Sequence, residues 1–437
     1  MAAQILMVAN ANMIAVALPP LAHDLGASET QQQWIVDAYV LVFAALLVAG
    51  GVLGDRYGRR RSLIAGLGLF AAGSLACALA PGPGVLIAAR VLQGLAPPLV
   101  LPASLAIVAA SFPSPLERAR AVGIWGGGSG VGIALGPLLG GIIVAAFGWR
   151  WVFGLSVPAA GVLAVAVVRF VPASRAPGAR QRFDGIGAAL VTAGMAGIVF
   201  GIIEGRERGW TSAAVLVAFA AGAALLVAFV AVERRHPAPL VDLGLLRRRR
   251  FVAANLGGAA VMFTLLGTTV FLSAFFQGVR GLTPLETGLA LLPLGGATAA
   301  LAPVAGRATA RIAPRTLSAG GMACSALGAL LLSRIHAGDT PGDLWPALLL
   351  LGAGIGFALP PMTSTAVSAA PGHQAGMASA IHNASRQLGA TLGVAVLGSV
   401  VFAHASLTSG LRVAFVIAAI LLVVVAAVTV LLVPARR

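Results

Sequence analysis

Long apolar stretches recur along the whole chain, and they restrict its fold more than any other feature. A bilayer core about 30 Å thick needs about 20 apolar residues per helix. Fourteen stretches reach that length, near residues 2–20, 33–53, 62–80, 85–108, 121–146, 151–170, 185–203, 213–232, 251–275, 287–305, 316–333, 345–366, 378–403 and 411–433. Hydrophobic residues make up 59% of the chain and charged residues 10%, against about 45–50% and about 25% in soluble proteins. The sequence therefore predicts an all-α polytopic membrane protein with 14 transmembrane helices.

The first stretch begins near residue 1 and lacks the basic leading region and cleavage context of a signal peptide. We therefore expect a retained helix. Because it starts without a cytoplasmic lead, we also expect a trimmed or late start.

All 29 basic residues are arginines, and their distribution predicts the orientation in the membrane. With the amino end inside, two arginines lie within spans and six outside, while the internal segments hold 21. Arginine-rich loops stay in the cytoplasm, so both termini are expected there. The net charge of +16 thus reflects topology, and no nucleic-acid partner is expected because the arginines form short clusters between spans.

Several kinds of chemistry are disfavoured by composition. Without a lysine there is no P-loop lysine for ATP-driven pumping. The six histidines are scattered, and Cys77 and Cys324 lie inside apolar runs, so no metal-binding spacing occurs. The sequence predicts neither an enzyme nor a bound cofactor, and any work is expected to be driven by the proton gradient.

A weak internal repeat predicts how the helices are grouped. GVLGDRYGRR at residues 51–60 follows the second span, and GRATARIAPR at residues 306–315 follows the tenth. The spacing exceeds six helices by about two, which predicts a 6 + 2 + 6 arrangement. The expected domains are an amino-terminal bundle (1–170), an inserted two-helix hairpin with cytoplasmic linkers (171–250) and a carboxy-terminal bundle (251–437).

The first copy of the repeat carries the chemistry of a cytoplasmic gate. Its glycines allow a tight turn between helices. Its acid, Asp55, can pair with a helix amino terminus or with arginines, and such a contact can form in one conformation of the protein and break in another. The alternative is a solvated charge cluster that sets topology. The gate residues are Gly51, Asp55, Arg56, Gly58, Arg59 and Arg60.

These residues match the loop motif G-x-L-x-D-R-x-G-R-[RK] at every defined position, and the chain therefore resembles the major facilitator superfamily. Its fourteen-helix drug:proton antiporters are similar in further motifs. These are Arg90-x2-Gln93-Gly94, Gly132-x3-Gly136-Pro137-x2-Gly140-Gly141, Trp149 to Phe153 with Pro158, Gln277 with Gly281, and Asn383 to Gly393. The resemblance implies the major facilitator fold and drug or antibiotic efflux by alternating access.

The fifth-span motif places small residues four apart around a proline. Small residues let another helix approach closely, and proline frees a carbonyl and bends the helix. Gly132, Gly136, Pro137, Gly140 and Gly141 are expected to form a gating hinge. Packing without a gating role is the alternative.

In the first span, Asn10 occupies the position where the family usually carries an acid. Asparagine does not exchange a proton in the physiological range, so this departure puts proton coupling through that position in doubt. Asn10 and Asn12 are interpreted as polar cavity groups or as interhelical hydrogen-bonding groups that only pack.

Asp37 is the acid that lies clearly within a span, and intramembrane acids are functional candidates by default. Asp37 is expected to carry the exchangeable proton. Arg90 lies at a similar depth, so an Asp37–Arg90 pair is geometrically allowed. Alternatively, Asp37 reaches the outer interface beside Trp34 and Tyr39.

The remaining polar residues are weaker candidates. Glu204 is expected to be a wet surface charge, and Arg386 either reaches the cytoplasmic interface or belongs to a cytoplasmic gate. The candidate cavity residues are Asn10, Asn12, Trp34, Tyr39, Gln93, Gln277, Asn383 and Arg386.

Together these features predict a monomeric exporter of small hydrophobic or amphiphilic compounds in the cell's inner membrane, working in exchange for protons. Its expected partners are the lipid bilayer, a small-molecule substrate and protons. An uncoupled facilitator or importer of the same fold is the alternative, and a polytopic membrane enzyme is a third possibility with less support.

Overall fold

The computed structural model describes residues 1–112, 114–172, 184–236, 239–371 and 374–433, without the side chains of residues 55, 109, 115, 116, 118–120, 122, 123, 126 and 127. Within these ranges the regular elements are helices. The α-helices are α1 (Ala2–Leu25), α2 (Glu29–Tyr57), α3 (Arg59–Ala78), α4 (Pro83–Gly94), α5 (Ala96–Ser111), α6 (Pro115–Phe147), α7 (Arg150–Gly154), α8 (Ser156–Phe170), α9 (Gly185–Arg208), α10 (Ala213–Glu233), α11 (Arg249–Gly278), α12 (Pro284–Ala290), α13 (Leu292–Ala308), α14 (Pro314–Leu332), α15 (Pro341–Ser368), α16 (Ala375–Phe402) and α17 (Leu407–Leu432).

The all-helical membrane fold is confirmed. In the described ranges, 13 candidate spans are long and apolar enough to cross a bilayer. The pair Pro284–Ala290 and Leu292–Ala308, bent by 41°, raises the number to 14 if it crosses as one span. Each predicted stretch corresponds to one of these spans, and the exact count of fourteen stays a prediction.

Prolines and capping side chains explain several helix boundaries. The fourth predicted span is interrupted at Leu95, directly before a helix that carries proline at its start, where the missing amide costs no hydrogen bond. Ser28 and Gln31 form a reciprocal capping box at the start of α2. Thr283 with Glu286 and Thr340 with Asp343 do the same for α12 and α15, which satisfies amides that no helical carbonyl reaches.

The first of two compact units comprises Met1–Ala11, Pro20–Gly132 and Phe147–Asp242. It therefore includes α9 and α10, which pack against each other, and α9 also packs against α2. Small residues allow this contact: a β-carbon on Gly197 would lie 2.9 Å from the carbonyl oxygen of Ala218. The exposed apolar face of α10 includes Leu216, Val217 and Val227.

The second unit comprises Asn12–Pro19, Ile133–Ala146 and Leu243–Arg437. Its most buried helix is α11, which packs against α15, α16 and α17. A β-carbon on Gly389 would lie 2.1 Å from the carbonyl oxygen of Ala259, and one on Gly393 would lie 2.2 Å from that of Phe263. Backbone contact of this closeness is how membrane helices associate when no hydrophobic effect drives them together. The three-part domain division stays a prediction.

Candidate functional site

Asp37 is fully buried in α2. Neither carboxylate oxygen has a hydrogen-bond partner among the described residues. An ionised carboxylate is costly in such surroundings unless it is paired. The protonated, neutral form of Asp37 therefore suits this environment better than the ionised form.

Arg90 of α4 is also fully buried, and its guanidinium makes no hydrogen bond with either oxygen of Asp37. Nε donates to the carbonyl oxygen of Ile35 at 2.9 Å, and Nη1 donates to Oε1 of Gln93 at 2.6 Å. The guanidinium carbon lies 4.3 Å from the ring centroid of Tyr39, a favourable cation–π distance. The Asp37–Arg90 pair that the sequence allowed is therefore absent from the described contacts, because Tyr39, Ile35 and Gln93 hold the guanidinium instead.

Gln93 extends this arrangement into a buried polar network that joins several helices. Its Nε2 donates to Oγ of Ser74 at 2.8 Å and to Oδ1 of Asn10 at 3.2 Å. Asn10 in turn donates through Nδ2 to the carbonyl oxygen of Val152 at 3.1 Å and to Oγ of Ser156 at 3.0 Å. Asn10 and Gln93 are fully buried, so both use their amides for interhelical contacts in this conformation.

Trp34, near the start of α2, takes part in a contact with α9. Its Nε1 donates to Oε1 of Glu204 at 3.2 Å, and Arg208 pairs with Oε2 of Glu204 at 2.6 Å. The expectation of a wet surface charge at Glu204 is wrong, because its side chain is only 12% exposed. Arg206 also pairs with Glu29 at the start of α2.

Tyr39 lies on the protein-facing side of α2 and is fully buried. Its ring is 6.2 Å from that of Phe43, and its hydroxyl is 3.5 Å from the carbonyl oxygen of Met7. Tyr39 therefore supports the Arg90 guanidinium and is enclosed by protein.

The predicted gate begins with the tight turn that the sequence led us to expect. α2 ends at Tyr57 and α3 begins at Arg59, with Gly58 between them at φ 105°, a conformation that glycine adopts readily. Gly51 lies beside Pro102, to which a β-carbon would be 3.5 Å away. These glycines bring α2 close to α3 and α5.

The arginines of the gate contact the ends of other helices. Arg59 donates to the carbonyl oxygen of Ala106 at 3.2 Å, and Arg60 donates to that of Val168 near the end of α8. The Arg60 interaction suits a cation near a helix carboxyl terminus. Arg56 is exposed and lies over the ring of Tyr57 at 5.3 Å. The side chain of Asp55, and with it the proposed latch, lies outside the described part of the structure.

The glycines of the fifth-span motif lie on α6, which continues through Pro137. A β-carbon on Gly132 would lie 2.9 Å from Val8, and one on Gly140 would lie 2.9 Å from the carbonyl oxygen of Met13. One on Gly141 would lie 2.5 Å from the carbonyl oxygen of Pro284. The buried Gly136 belongs to the same helix. The motif thus provides close packing on two faces, and its hinge role stays a prediction.

Gln277 and Asn12 are polar residues of the second unit. Gln277 is partly buried and donates to the carbonyl oxygen of Val16 at 2.9 Å and to Oγ of Ser273 at 3.1 Å. Asn12 is buried. Both are candidate cavity residues of the sequence analysis, and that assignment stays a prediction.

Asn383 and Arg386 lie on α16 beside His382, which the sequence analysis did not single out. Nη1 of Arg386 donates to Oδ1 of Asn383 at 3.3 Å, and Nε of Arg386 has no partner among the described residues. The hydroxyl of Thr363 donates to the carbonyl oxygen of Leu359, so it accepts from Nε2 of His382 at 3.2 Å. The buried Nδ1 of His382 is then a bare acceptor. A histidine four residues before an intramembrane arginine was the signal that could have found it.

Side chains that bind metal ions do not cluster within the described ranges. No group of three or more histidine, cysteine, aspartate or glutamate residues suited to a metal ion occurs there.

Residues 1–394 match the family model described as Major Facilitator Superfamily. The chain is 38% identical to the puromycin resistance protein pur8 of Streptomyces alboniger over 405 residues, covering 92% of this chain and 80% of that protein. It is 39% identical to a probable actinorhodin transporter of Streptomyces coelicolor over 414 residues, covering 92% of this chain and 71% of that protein.

Among solved structures, the fold is similar to that of a POT family transporter in complex with 5-aminolevulinic acid. The TM-score is 0.71 at 15% sequence identity, with 98% of this chain and 95% of that chain covered. At this identity the similarity concerns the fold alone.

Proposed function

Because the chain belongs to the Major Facilitator Superfamily, we propose that it exports small hydrophobic or amphiphilic compounds, drugs or antibiotics among them, in exchange for protons. The family consists of transporters and not of enzymes. The relatives named for puromycin resistance and actinorhodin transport support export of such compounds. Alternating access is the expected mode of movement.

Asp37 is the residue to which we assign the exchanged proton. The observation that carries this assignment is its complete burial without a partner among the described residues. A protonated carboxyl is tolerated there, whereas the ionised form needs water or a cation. Release of the proton therefore requires a conformation that opens the surroundings of Asp37, which ties proton movement to the transport cycle.

We assign to Arg90 the role of stabilising Asp37 after the proton has left. Its contacts with Ile35, Gln93 and Tyr39 hold it beside the acid's helix without an ion pair. Nη2 of Arg90 has no partner among the described residues, and a different conformation of the transport cycle is needed to bring this donor to an ionised Asp37. Arg90 would then stabilise the ionised state.

The proposed function includes a role for the gate residues and an orientation of the protein in the membrane. The gate at residues 51–60 is proposed to control the transport cycle, with the glycines and Pro137 of α6 as its hinge. The 21 arginines of the predicted internal segments support an inner-membrane protein with both termini in the cytoplasm. It is proposed to work as a monomer, with the proton gradient as its only energy source.

The test is uphill transport by the full chain in proteoliposomes under an imposed pH gradient, with puromycin and actinorhodin as probes. Wild type is expected to accumulate a probe until a protonophore collapses the gradient. Asp37→Asn should lose accumulation while retaining exchange at equal concentrations. Glu29→Gln is the matched control, because this exposed acid lies on the same helix, and it should accumulate the probe normally.

Two outcomes would change the assignment. Uphill transport by Asp37→Asn with unchanged pH dependence would remove Asp37 from the mechanism. Equilibration of the probe by wild type without accumulation would favour the alternative function, an uncoupled facilitator or importer.

A further inference from the structure

The exposed side of α10 leads directly to two arginines. Exposed residues recur there every three or four positions, which places them on one side of a helix. This α10 stripe consists of Leu216, Ala220, Ala224, Val227, Ala231 and Arg235. Arg234 is exposed beside its end and keeps helical backbone angles, and its amide donates to the carbonyl oxygen of Val230. An apolar surface and the cations that follow it are therefore continuous.

The length of α10 places these arginines at a definite depth in the membrane. Its 21 residues rise by about 1.5 Å each, which gives about 30 Å, the thickness of the hydrocarbon core. On the stripe, Leu216 is 53% and Val227 is 69% exposed, as expected for a helix that faces lipid. Arg234 and Arg235 follow the last residue of the helix and therefore lie at the level of the lipid headgroups.

The neighbouring acid does not neutralise the two arginines. Glu233 is buried, and its Oε2 accepts from the amide of Val241 at 3.2 Å. Its Oε1 lies on the side of α9, where a β-carbon on Gly187 would be 2.9 Å from it and 2.5 Å from Oδ2 of Asp184. The side chains of the two arginines make no hydrogen bond or ion pair with a described residue.

Arginines at the opposite end of the α9–α10 pair are in a different situation. There Arg206 pairs with Glu29, and Arg208 pairs with Glu204. Their charges are balanced within the protein. The charges of Arg234 and Arg235 are instead available to an anion from outside the chain.

An open groove of about 290 Å³ lies at the same end of α10. It is lined by Ala231, Val232, Arg235 and His236, so apolar side chains and a guanidinium border the same space. A phospholipid matches both, because its acyl chains cover apolar residues and its phosphate accepts charge-assisted hydrogen bonds from a guanidinium. Basic residues directly after a membrane helix also attract anionic headgroups.

We propose that an anionic phospholipid binds along α10, with its phosphate on Arg234 and Arg235 and its acyl chains on the α10 stripe. Phosphatidylcholine binds less tightly, because its headgroup carries a choline cation that the arginines repel. The site is separate from Asp37 and from the gate, and it does not depend on the transported compound. The bound lipid fixes this end of the α9–α10 pair at the membrane surface.

The test compares two lipids at a fluorescent probe on the stripe. The probe is attached to Val227→Cys in the full chain, in phosphatidylcholine nanodiscs, after Cys77 and Cys324 have been replaced. Phosphatidylglycerol or phosphatidylcholine with a nitroxide near the headgroup end of one acyl chain is added, and quenching gives their relative affinity. Phosphatidylglycerol should bind about tenfold more tightly, which corresponds to about 1.4 kcal/mol. This preference should fall in about 1 M salt, where the Debye length is only about 3 Å.

Variants and a second probe position locate the preference. Arg234→Gln/Arg235→Gln should bring the relative affinity close to one. Arg307→Gln/Arg311→Gln is the matched control, because these exposed arginines lie in another segment, and the same loss of charge there should leave the preference unchanged. A probe on Leu216→Cys, at the other end of the stripe, should report no preference, because the arginines at that end are paired.

Equal affinities for the two lipids at Val227→Cys would overturn the proposal, as would a preference that survives in Arg234→Gln/Arg235→Gln. An equal loss in the control variant would attribute the effect to net charge and would also contradict the site. If an excess of inorganic phosphate abolished the preference, the occupant would be a free anion and not a lipid. Absence of quenching by either lipid would mean that protein, such as a second copy of this chain, covers the stripe. The salt dependence, measured without the arginine substitutions, tests the proposal even if the double variant fails to fold.

Discussion

Asn10 connects several helices through a single buried side chain. Its amide donates to Val152 and Ser156 and accepts from Gln93. Hydrogen bonds between membrane helices are worth about 0.6 kcal/mol on average and rarely exceed about 2 kcal/mol. A residue with three such bonds is therefore a substantial contributor to the packing of the first unit.

Asn10→Ala is expected to lower the free energy of unfolding by about 1–2 kcal/mol, because it removes three buried hydrogen bonds, those with Gln93, Val152 and Ser156. The measurement is thermal unfolding of the purified protein in detergent. Asn383→Ala serves as the control, since Asn383 is partly exposed and its amide bonds within its own helix, and it should cost less. Equal losses in the two variants would contradict the role given to the Asn10 network.

Asp55 and Arg56 are predicted to control turnover and not ligand affinity, because they lie in the gate motif at the end of α2. Asp55→Asn should slow turnover with equilibrium binding unchanged. The measurements are transport rate and equilibrium binding of the same probe, puromycin, to the same preparation. A tenfold loss of affinity, about 1.4 kcal/mol, with normal turnover would contradict the latch.

At the scale of elements, glycine contacts determine how closely helices approach. Gly389 and Gly393 lie against the backbone of α11 at Ala259 and Phe263. A backbone carbonyl cannot rotate aside as a flexible side chain can. The close approach of α11 and α16 therefore depends on the absence of a side chain at these positions.

Gly389→Ala is expected to destabilise the protein by about 1–3 kcal/mol, the usual cost of overpacking, because its β-carbon would lie 2.1 Å from the Ala259 oxygen. Gly376→Ala is the matched control on the same helix, where a β-carbon would meet open space. This variant should be neutral or slightly more stable, since alanine favours helix. Thermal unfolding of both variants checks the prediction, and a loss at Gly376 as large as that at Gly389 would contradict it.

At the scale of the whole molecule, α9 and α10 have a different character from the helices that carry the motifs. The outward residues of α10 are large and apolar, as expected for a surface that faces lipid. Contacts from α9 to α2 through Trp34 and Glu204, and through Arg206 and Glu29, attach the pair at one end. Glu233 and residues 240–241 attach it at the other.

Residues 185 to 232 are therefore predicted to form a peripheral hairpin that does not line the transport pathway. Single cysteines there should stay unreactive to aqueous thiol reagents and unprotected by puromycin, once Cys77 and Cys324 have been replaced. Cysteines at pathway positions on α1, α4 and α6 should react and be protected. Puromycin protection at several positions of the hairpin would overturn the 6 + 2 + 6 arrangement.

The sequence alone determined the class of protein, the places of its spans and the turn at Gly58. These properties depend on local quantities, namely the length of an apolar run, the position of a proline and the conformations open to glycine. The loop motif and the family resemblance were readable for the same reason, because their residues are close together along the chain.

Only the tertiary structure decided which side chains meet. It placed Arg90 on Tyr39 and Gln93 and left Asp37 without a described partner, buried Glu204, and brought Asp184 to Glu233. In a soluble helix the apolar stripe predicts the inward face, but a membrane helix is apolar on its lipid-facing and protein-facing sides alike. Its rotation depends on small residues and polar contacts supplied by distant segments, so the partners of a buried polar group emerge only when the helices pack.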